Sequence, residues 1–209
     1  MNDQFERRLR GLSEPGVAGC LHGGRHGIEK ESLRVSPDGY IADTDHPVGL
    51  GAALTNRFIT TDYSEALLEF VTPPVGSVWE AIQYLCDIHQ FVYGHLDDEL
   101  LWAMSMPCMI RSAADVPLAR YGSSNIGMMK TVYRRGLGYR YGRNMQAIAG
   151  IHFNYSLSDA FWPVYRDIES CDSDDAEFRS SAYLALVRNV RRLNWLLLYL
   201  FGASPAVCK

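Results

Sequence analysis

Residues 58–74 carry the sequence FITTDYSEALLEFVTPP, and this stretch decides the fold. Its β-branched and aromatic residues predict a strand region that Pro73 and Pro74 close. The alternation of apolar and polar residues is irregular, which predicts a bulge or bend at 62–65. Glu69 stands inside an apolar run, where a charge is costly unless it is paired or binds a metal ion.

A second strand precedes this stretch, in the sequence HGIEKESLRV at residues 26–35. The turn signal at 37–39 (PDG) follows it and predicts a hairpin. Because residues two apart on a strand face the same side, Glu29 and Glu31 are expected to project together. Paired carboxylates of this kind suit Mg²⁺ beside nucleotide phosphates. The alternative is that the triplet EKE at 29–31 is simply a solvated face of the strand. Asp62 can join Glu69 in one site only if the backbone between them turns.

The remaining elements are three further helices, one short helix and one strand. The predicted helices cover 3–12, 77–99, 121–141 and 174–200, and the strand covers 145–157. An apolar stripe is predicted on the second helix at Trp79, Ile82, Cys86, His89, Tyr93 and Leu96. Since strands and helices do not alternate regularly, the fold class is α+β, and residues 1–209 are expected to form a single domain.

Several polar residues are further candidates for a site, each with a structural alternative. His152 lies in the last strand, as a metal ligand or as a hydrogen-bonded core residue. Gln146 and Asn154 offer amide groups to a small polar ligand or to the backbone. The run 133–135 (YRR) forms an anion site or a solvated basic face of its helix.

Composition and motifs exclude several function classes. The net charge of −4 disfavours a nucleic-acid binder, and neither a P-loop nor a dinucleotide-binding glycine motif is present. Five scattered cysteines suggest neither a disulfide framework nor a zinc site. The first ten residues resemble no secretory signal, so a cytoplasmic protein is expected. The apolar segment 193–207 is too short to span a membrane and is expected to be a buried helix end.

Six strings, taken in order, resemble the proteobacterial type of glutamate–cysteine ligase. They are GIEKESLRV, ITTDYSEALLEFVTP, SMPC, RYGSSNIGMMKTVYRRGL, GIHFNYSL and FGASPAVC, and they extend from about Gly23 to Cys208. The resemblance implies a glutamine-synthetase-like curved antiparallel sheet with flanking helices. It also implies ATP-dependent joining of the glutamate γ-carboxylate to cysteine through γ-glutamyl phosphate, the first step of glutathione synthesis.

The resemblance also assigns residues. The metal site for Mg²⁺ (or Mn²⁺) would comprise Glu29, Glu31, Asp62, Glu69 and His152. The substrates would contact Tyr63, Tyr133, Arg134, Gln146 and Asn154. The chemistry requires no covalent nucleophile of the enzyme, so no catalytic side chain is assigned.

Members of that family are more than twice as long as this chain. The sequence therefore corresponds to an incomplete half of the family fold, the amino-terminal part, with a carboxy-terminal half as an expected partner. Two alternatives stay open. One is a truncated, non-catalytic fragment or ligand-binding remnant, and the other is a related carboxylate–amine ligase with another acceptor amine.

Overall fold

The computed structural model describes residues 3–202 and contains five α-helices, four short 3-10 helices and five strands in that range. The α-helices are α1 (Asp3–Ser13), α2 (Val78–Tyr93), α3 (Asn125–Tyr141), α4 (Phe161–Glu169) and α5 (Asp175–Phe201). The strands are β1 (Arg25–Val35), β2 (Ile59–Thr61), β3 (Leu67–Val71), β4 (Leu100–Leu101) and β5 (Ile151–Ser156). Sheet and helices confirm the α+β class.

The described chain divides into two compact units. One unit is Arg25–Tyr155, and the other consists of the described residues before and after it. The single domain expected over 1–209 stays a prediction.

The unit Arg25–Tyr155 is built on one sheet. Its order is β2-β3-β1-β4, and β5 pairs with β1. β1 is antiparallel to β3 and to β4, and β2 is antiparallel to β3. The predicted bend at 62–65 is therefore a full reversal, because the single strand region expected at 58–74 is a hairpin of β2 and β3. The predicted turn at 37–39 is present. The hairpin around it is short, because an isolated antiparallel bridge between Val35 and Ile41 takes the place of a second strand.

Helix α2 covers one face of this sheet. Leu68 and Phe70 of β3 belong to one buried cluster with Ile88 and Val92 of α2. Since alternate residues of a strand point to opposite faces, Glu69 projects from the other face. The sheet thus has one face packed under a helix and one face that carries the acidic residues.

The predicted apolar stripe on α2 is confirmed only in part: Leu96 is buried just after the helix and the His89 ring packs against Phe70, but other members face solvent. The buried residues of the helix are Ala81, Ile88 and Val92, whereas Trp79 and Tyr93 are exposed. Both sides of this helix carry apolar residues, so spacing alone does not select the side that packs against β3.

The second unit combines α1, α4 and α5, of which α4 was not predicted. Phe161 and Trp162 of α4 form a buried cluster with Phe178 of α5. Arg8 of α1 donates two hydrogen bonds, each 2.7 Å long, to the Glu169 carboxylate of α4. The burial and the bidentate pair hold α1 and α5 against α4.

Helix α5 contradicts the expected burial of its carboxyl-terminal half. Leu193, Trp195 and Leu197 are all more than half exposed, and Asp174 caps the helix at its other end. These apolar side chains therefore face solvent over much of their surface. Residues 203–207 of the predicted segment lie outside the described range. No helix among residues 3–202 has both the length and the apolar character needed to cross a membrane.

Candidate metal and substrate site

Three glutamates share the sheet face that α2 leaves uncovered. The register of β1 and β3 places Glu31 directly opposite Glu69, and Glu29 opposite Val71. The buried neighbours Ser32, Leu33 and Leu68 fix this register. Like charges at directly opposed positions repel one another, so this arrangement destabilises the sheet unless positive charge lies nearby.

The protonation of these groups reflects the repulsion. Burial, followed by the charges of Asp62, Glu31 and Glu29, raises the pKa of Glu69 from 4.5 to about 7. Burial also raises the pKa of Glu31, against the opposing effect of a hydrogen bond from the Gly150 N–H. His152 lowers the pKa of both carboxyl groups, but the net direction is upward, so their negative charge is compensated only in part. A divalent cation would supply further positive charge.

Strand β5 and the residue before it supply hydrogen bonds to two of the glutamates. His152 Nδ1 lies 3.1 Å from one oxygen of Glu29, and Asn154 Nδ2 donates to the other oxygen at 2.9 Å. The Gly150 N–H donates to Glu31 Oε2 at 2.6 Å. The hydrogen bond to Glu29 is the main cause of a raised pKa of His152. Glu29, Glu31, His152 and Asn154 thus meet in one site, with both oxygens of Glu29 already in use.

Asp62 enters the site from the turn between β2 and β3. Its N–H donates to the Leu67 carbonyl at 3.0 Å, which closes the turn. Its carbonyl accepts hydrogen bonds from the Tyr121 hydroxyl and from Arg134 Nε. The negative charge of Asp62 contributes to the raised pKa of both Glu31 and Glu69, so the reversal that the sequence required does place Asp62 near them.

Three substrate-binding predictions have less support from the geometry. Tyr63 is only 1% exposed and belongs to the core, with its hydroxyl against Gly138 of α3, so in this structure it presents no surface to a ligand. Tyr133 is exposed on α3. Within residues 3–202, no hydrogen bond connects the side chain of Tyr133 or Gln146 to another predicted site residue.

The donor chemistry fits a hard cation, although the side chains are not arranged around one. No group of three His, Cys, Asp or Glu side chains in the described range is positioned to hold a metal ion. The carboxylates of Asp62 and Glu69 make no hydrogen bond to a described residue, and Glu31 has one oxygen free. Oxygen donors of this kind are those that Mg²⁺ prefers. Their side chains would have to rotate to converge on a cation.

Two contributors were not assigned from the sequence. Gly150 was predicted only as a bulge, yet its backbone holds Glu31 through both N–H and C=O. Tyr121 was predicted only as part of the turn before α3, yet it bonds to the backbone of Asp62. No local pattern marks either residue, because each acts through a contact with a distant strand.

Fold and site together define an α+β protein whose antiparallel sheet carries clustered carboxylates on its open face. The family model for glutamate–cysteine ligase matches residues 9–209. The chain therefore belongs to the glutamate–cysteine ligase family.

Individual relatives agree with this assignment. The glutamate–cysteine ligase of Alcanivorax borkumensis is 55% identical over 98% of this chain and 39% of its own length. The corresponding protein of Pseudomonas putida is 53% identical over 100% of this chain and 39% of its own length. This chain thus spans about two fifths of the curated relatives it matches.

Solved structures show the same fold. A crystal structure of the Francisella tularensis glutamate–cysteine ligase in complex with AMP gives a TM-score of 0.81 at 40% identity, covering 88% of this chain and 36% of that one. A bifunctional glutathione synthetase from Pasteurella multocida gives 0.84 at 30% identity, covering 97% of this chain and 26% of that one.

Proposed function

We propose that this chain supplies the cation-binding sheet face and part of the substrate site for ATP-dependent ligation of glutamate to cysteine. The observation that carries the proposal is the opposed pair Glu31 and Glu69, whose repulsion a cation would relieve. The proposal rests equally on membership of the glutamate–cysteine ligase family. It keeps the cytoplasmic location expected from the sequence.

Each residue would have a defined role. Mg²⁺, or Mn²⁺, would be held by Glu29, Glu31, Asp62, Glu69 and His152. When bound, the cation would neutralise phosphate charge on ATP. Arg134 and Tyr133 of α3 would bind the carboxylate of the acceptor amino acid, and Asn154 and Gln146 would contact glutamate.

The chemistry would then depend mainly on positioning. The glutamate γ-carboxylate attacks the γ-phosphorus of ATP, which releases ADP and forms γ-glutamyl phosphate. The cysteine amine attacks that acyl carbon, and phosphate leaves as the amide bond forms. Orientation and charge stabilisation account for catalysis, and no side chain becomes covalently attached to substrate.

A second candidate function is that of a non-catalytic fragment that binds ligand without turnover. The exposed apolar side chains at the carboxyl-terminal end of α5 favour it, because a helical segment that is apolar on all sides is normally buried. In that case the described residues bind Mg²⁺ and ATP but do not release ADP. A related ligase with another acceptor amine would differ only in its response to cysteine.

The deciding experiment measures Mg²⁺-dependent ATP binding and ADP release by residues 1–209, with glutamate and with or without cysteine. Cysteine-dependent ADP release that Glu69→Gln abolishes supports ligation. ATP binding without release, weakened by the same substitution, supports the second candidate. The matched control is Glu80→Gln, an exposed glutamate on α2, which should change neither quantity.

Failure of the unsubstituted, folded chain to bind ATP at any Mg²⁺ concentration would contradict both candidates. Release that proceeds equally with other small amines in place of cysteine would identify the related ligase instead.

A further inference from the structure

Tyr121 makes three separate contacts from one buried position. Its side chain is 5% exposed and packs with Ala53 and Ala119. Its hydroxyl lies 2.7 Å from the Thr61 carbonyl and 3.1 Å from the Asp62 carbonyl. These two oxygens belong to the end of β2 and the start of the turn, so the hydroxyl holds the chain where it leaves the strand at Asp62, together with the Asp62 N–H bond to Leu67.

The ring of Tyr121 also faces two cations of α3. Arg134 Cζ lies 4.8 Å from the ring centroid, and Lys130 Nζ lies 4.9 Å from it. Both distances are within the range in which a cation is attracted by an aromatic face. Arg134 additionally donates from Nε to the Asp62 carbonyl. One aromatic ring therefore connects the backbone of Asp62 to the charged side chains of α3.

The backbone of Tyr121 is in turn fixed by the first turn of α3. Gly127 is the buried residue of that helix, and a β-carbon at this position would lie 2.3 Å from the Tyr121 carbonyl oxygen. Because so close an approach is open only to glycine, the first turn of α3 packs directly against the backbone of Tyr121.

We propose that Tyr121 is a positioning residue that couples the cation-binding carboxylates to the amino-acid site on α3. This inference rests on the proposed function, since Asp62 and Arg134 take their roles from it. The hydroxyl sets the main chain that carries the Asp62 carboxylate, and the ring sets the direction of Arg134. Tyr121 itself touches no substrate.

Two substitutions separate these contributions. Tyr121→Phe removes the hydroxyl and keeps the ring, so it should weaken Mg²⁺ binding by roughly 2- to 10-fold, as expected for one lost hydrogen bond. Arg134 should stay stacked in this variant. Tyr121→Leu removes the ring as well, and should both weaken Mg²⁺ binding and release Arg134.

The experiment combines two readouts on residues 1–209. Mg²⁺ affinity is measured by calorimetry in the presence of ATP, and the reactivity of each arginine towards phenylglyoxal is measured by mass spectrometry. The expected result is faster modification of Arg134 in Tyr121→Leu but not in Tyr121→Phe, with weaker Mg²⁺ binding in both.

A matched control comes from a second stacked pair in the same unit. Arg111 Cζ lies 4.1 Å from the centroid of the Tyr40 ring, and neither residue contacts the site. Tyr40→Leu should increase the reactivity of Arg111 alone and leave Mg²⁺ affinity unchanged. A general loosening of the fold would instead increase the reactivity of many arginines together.

The outcomes distinguish failure of the role inferred for Tyr121 from failure of the proposed function. Normal Mg²⁺ affinity in both Tyr121 variants, or unchanged Arg134 reactivity in Tyr121→Leu, overturns the inference and leaves the proposed function standing. Absence of Mg²⁺ binding by the folded, unsubstituted chain overturns both.

Discussion

Strand β1 carries charged side chains on both of its faces, and the two faces differ in how that charge is compensated. On one face Arg34 is buried, and its guanidinium donates to Glu99, to Thr44 and to the Glu65 carbonyl. On the other face Glu31 stands opposite Glu69, and His152 offsets their repulsion only in part. The first cluster has its counter-charge within the protein, although the buried Arg34 Nε has no hydrogen-bond partner among residues 3–202. Carboxylates with perturbed pKa values, such as those of the second cluster, are typical of functional sites.

The largest effect on stability is expected on the face of β1 that carries Arg34. Arg34→Met leaves the Glu99 carboxylate without its partner, 2.6 Å away in the present structure. Removal of one member of a buried pair costs about 3–5 kcal/mol, so the free energy of unfolding should fall by that amount. Urea unfolding measures the change. The double variant with Glu99→Gln should recover part of the loss, and a single variant as stable as the unsubstituted chain would contradict the structural role of the pair.

On the open face, the corresponding substitution should act in the opposite direction. Glu69→Gln removes one of two opposed charges, so the metal-free protein should become more stable by up to about 1 kcal/mol at neutral pH. The same variant should lose the stabilisation that Mg²⁺ gives the unsubstituted protein. Thermal unfolding with and without Mg²⁺ tests both effects. Destabilisation in the absence of Mg²⁺ would show that Glu69 has a partner in the fold.

A pH dependence should accompany the open face. Because the pKa of Glu69 is raised from 4.5 to about 7, the folded protein retains a proton in that range that the unfolded chain releases. The contribution of Glu69 protonation to the free energy of unfolding is therefore fully present below about pH 4.5 and is lost as pH rises through about 7. Urea unfolding at a series of pH values should show the decline. Glu69→Gln should flatten it, and an equal slope in both proteins would assign the decline to other groups.

The smallest effect is expected where charges are exposed. Arg120 and Asp45 form an ion pair at 2.9 Å, with side chains that are 69% and 80% exposed. Solvent screens such a pair, so Asp45→Ala should change the free energy of unfolding by less than about 0.5 kcal/mol. A larger loss in urea unfolding would mean that the Glu65 carboxylate, which accepts from the Arg120 N–H, depends on this pair.

Local patterns were sufficient to predict part of this architecture. The spacing of Glu29 and Glu31 predicted their common face, and the predicted start of the last helix at 174 agrees with the cap of α5 at Asp174. The range predicted from 121 for α3 begins four residues too early, because the helix begins at Asn125. The turn that Asp62 and Glu69 required is present as a hairpin. Each of these features depends on residues close together in the chain.

The remainder depends on contacts between distant segments. The strand register pairs Glu31 of β1 with Glu69 of β3, and these two residues are 38 positions apart in the sequence. The buried side of α2 is selected by Leu68 and Phe70, not by its own spacing. Tyr63, predicted as a substrate contact, is buried because Gly138 lets α3 approach its hydroxyl within the space that a β-carbon would take.

The exposed carboxyl-terminal half of α5 has an optical consequence. Trp195 is 63% exposed there, whereas Trp162 is 5% exposed in the cluster of α4 and α5. An indole in water emits at longer wavelength than one in an apolar environment, so the two residues should contribute distinguishable fluorescence. Trp79 is also exposed, at 76%, so this measurement uses the Trp79→Phe variant. Anything that covers α5 should then shift the emission of Trp195 to the blue and protect it from iodide quenching, while the buried Trp162 should stay unquenched.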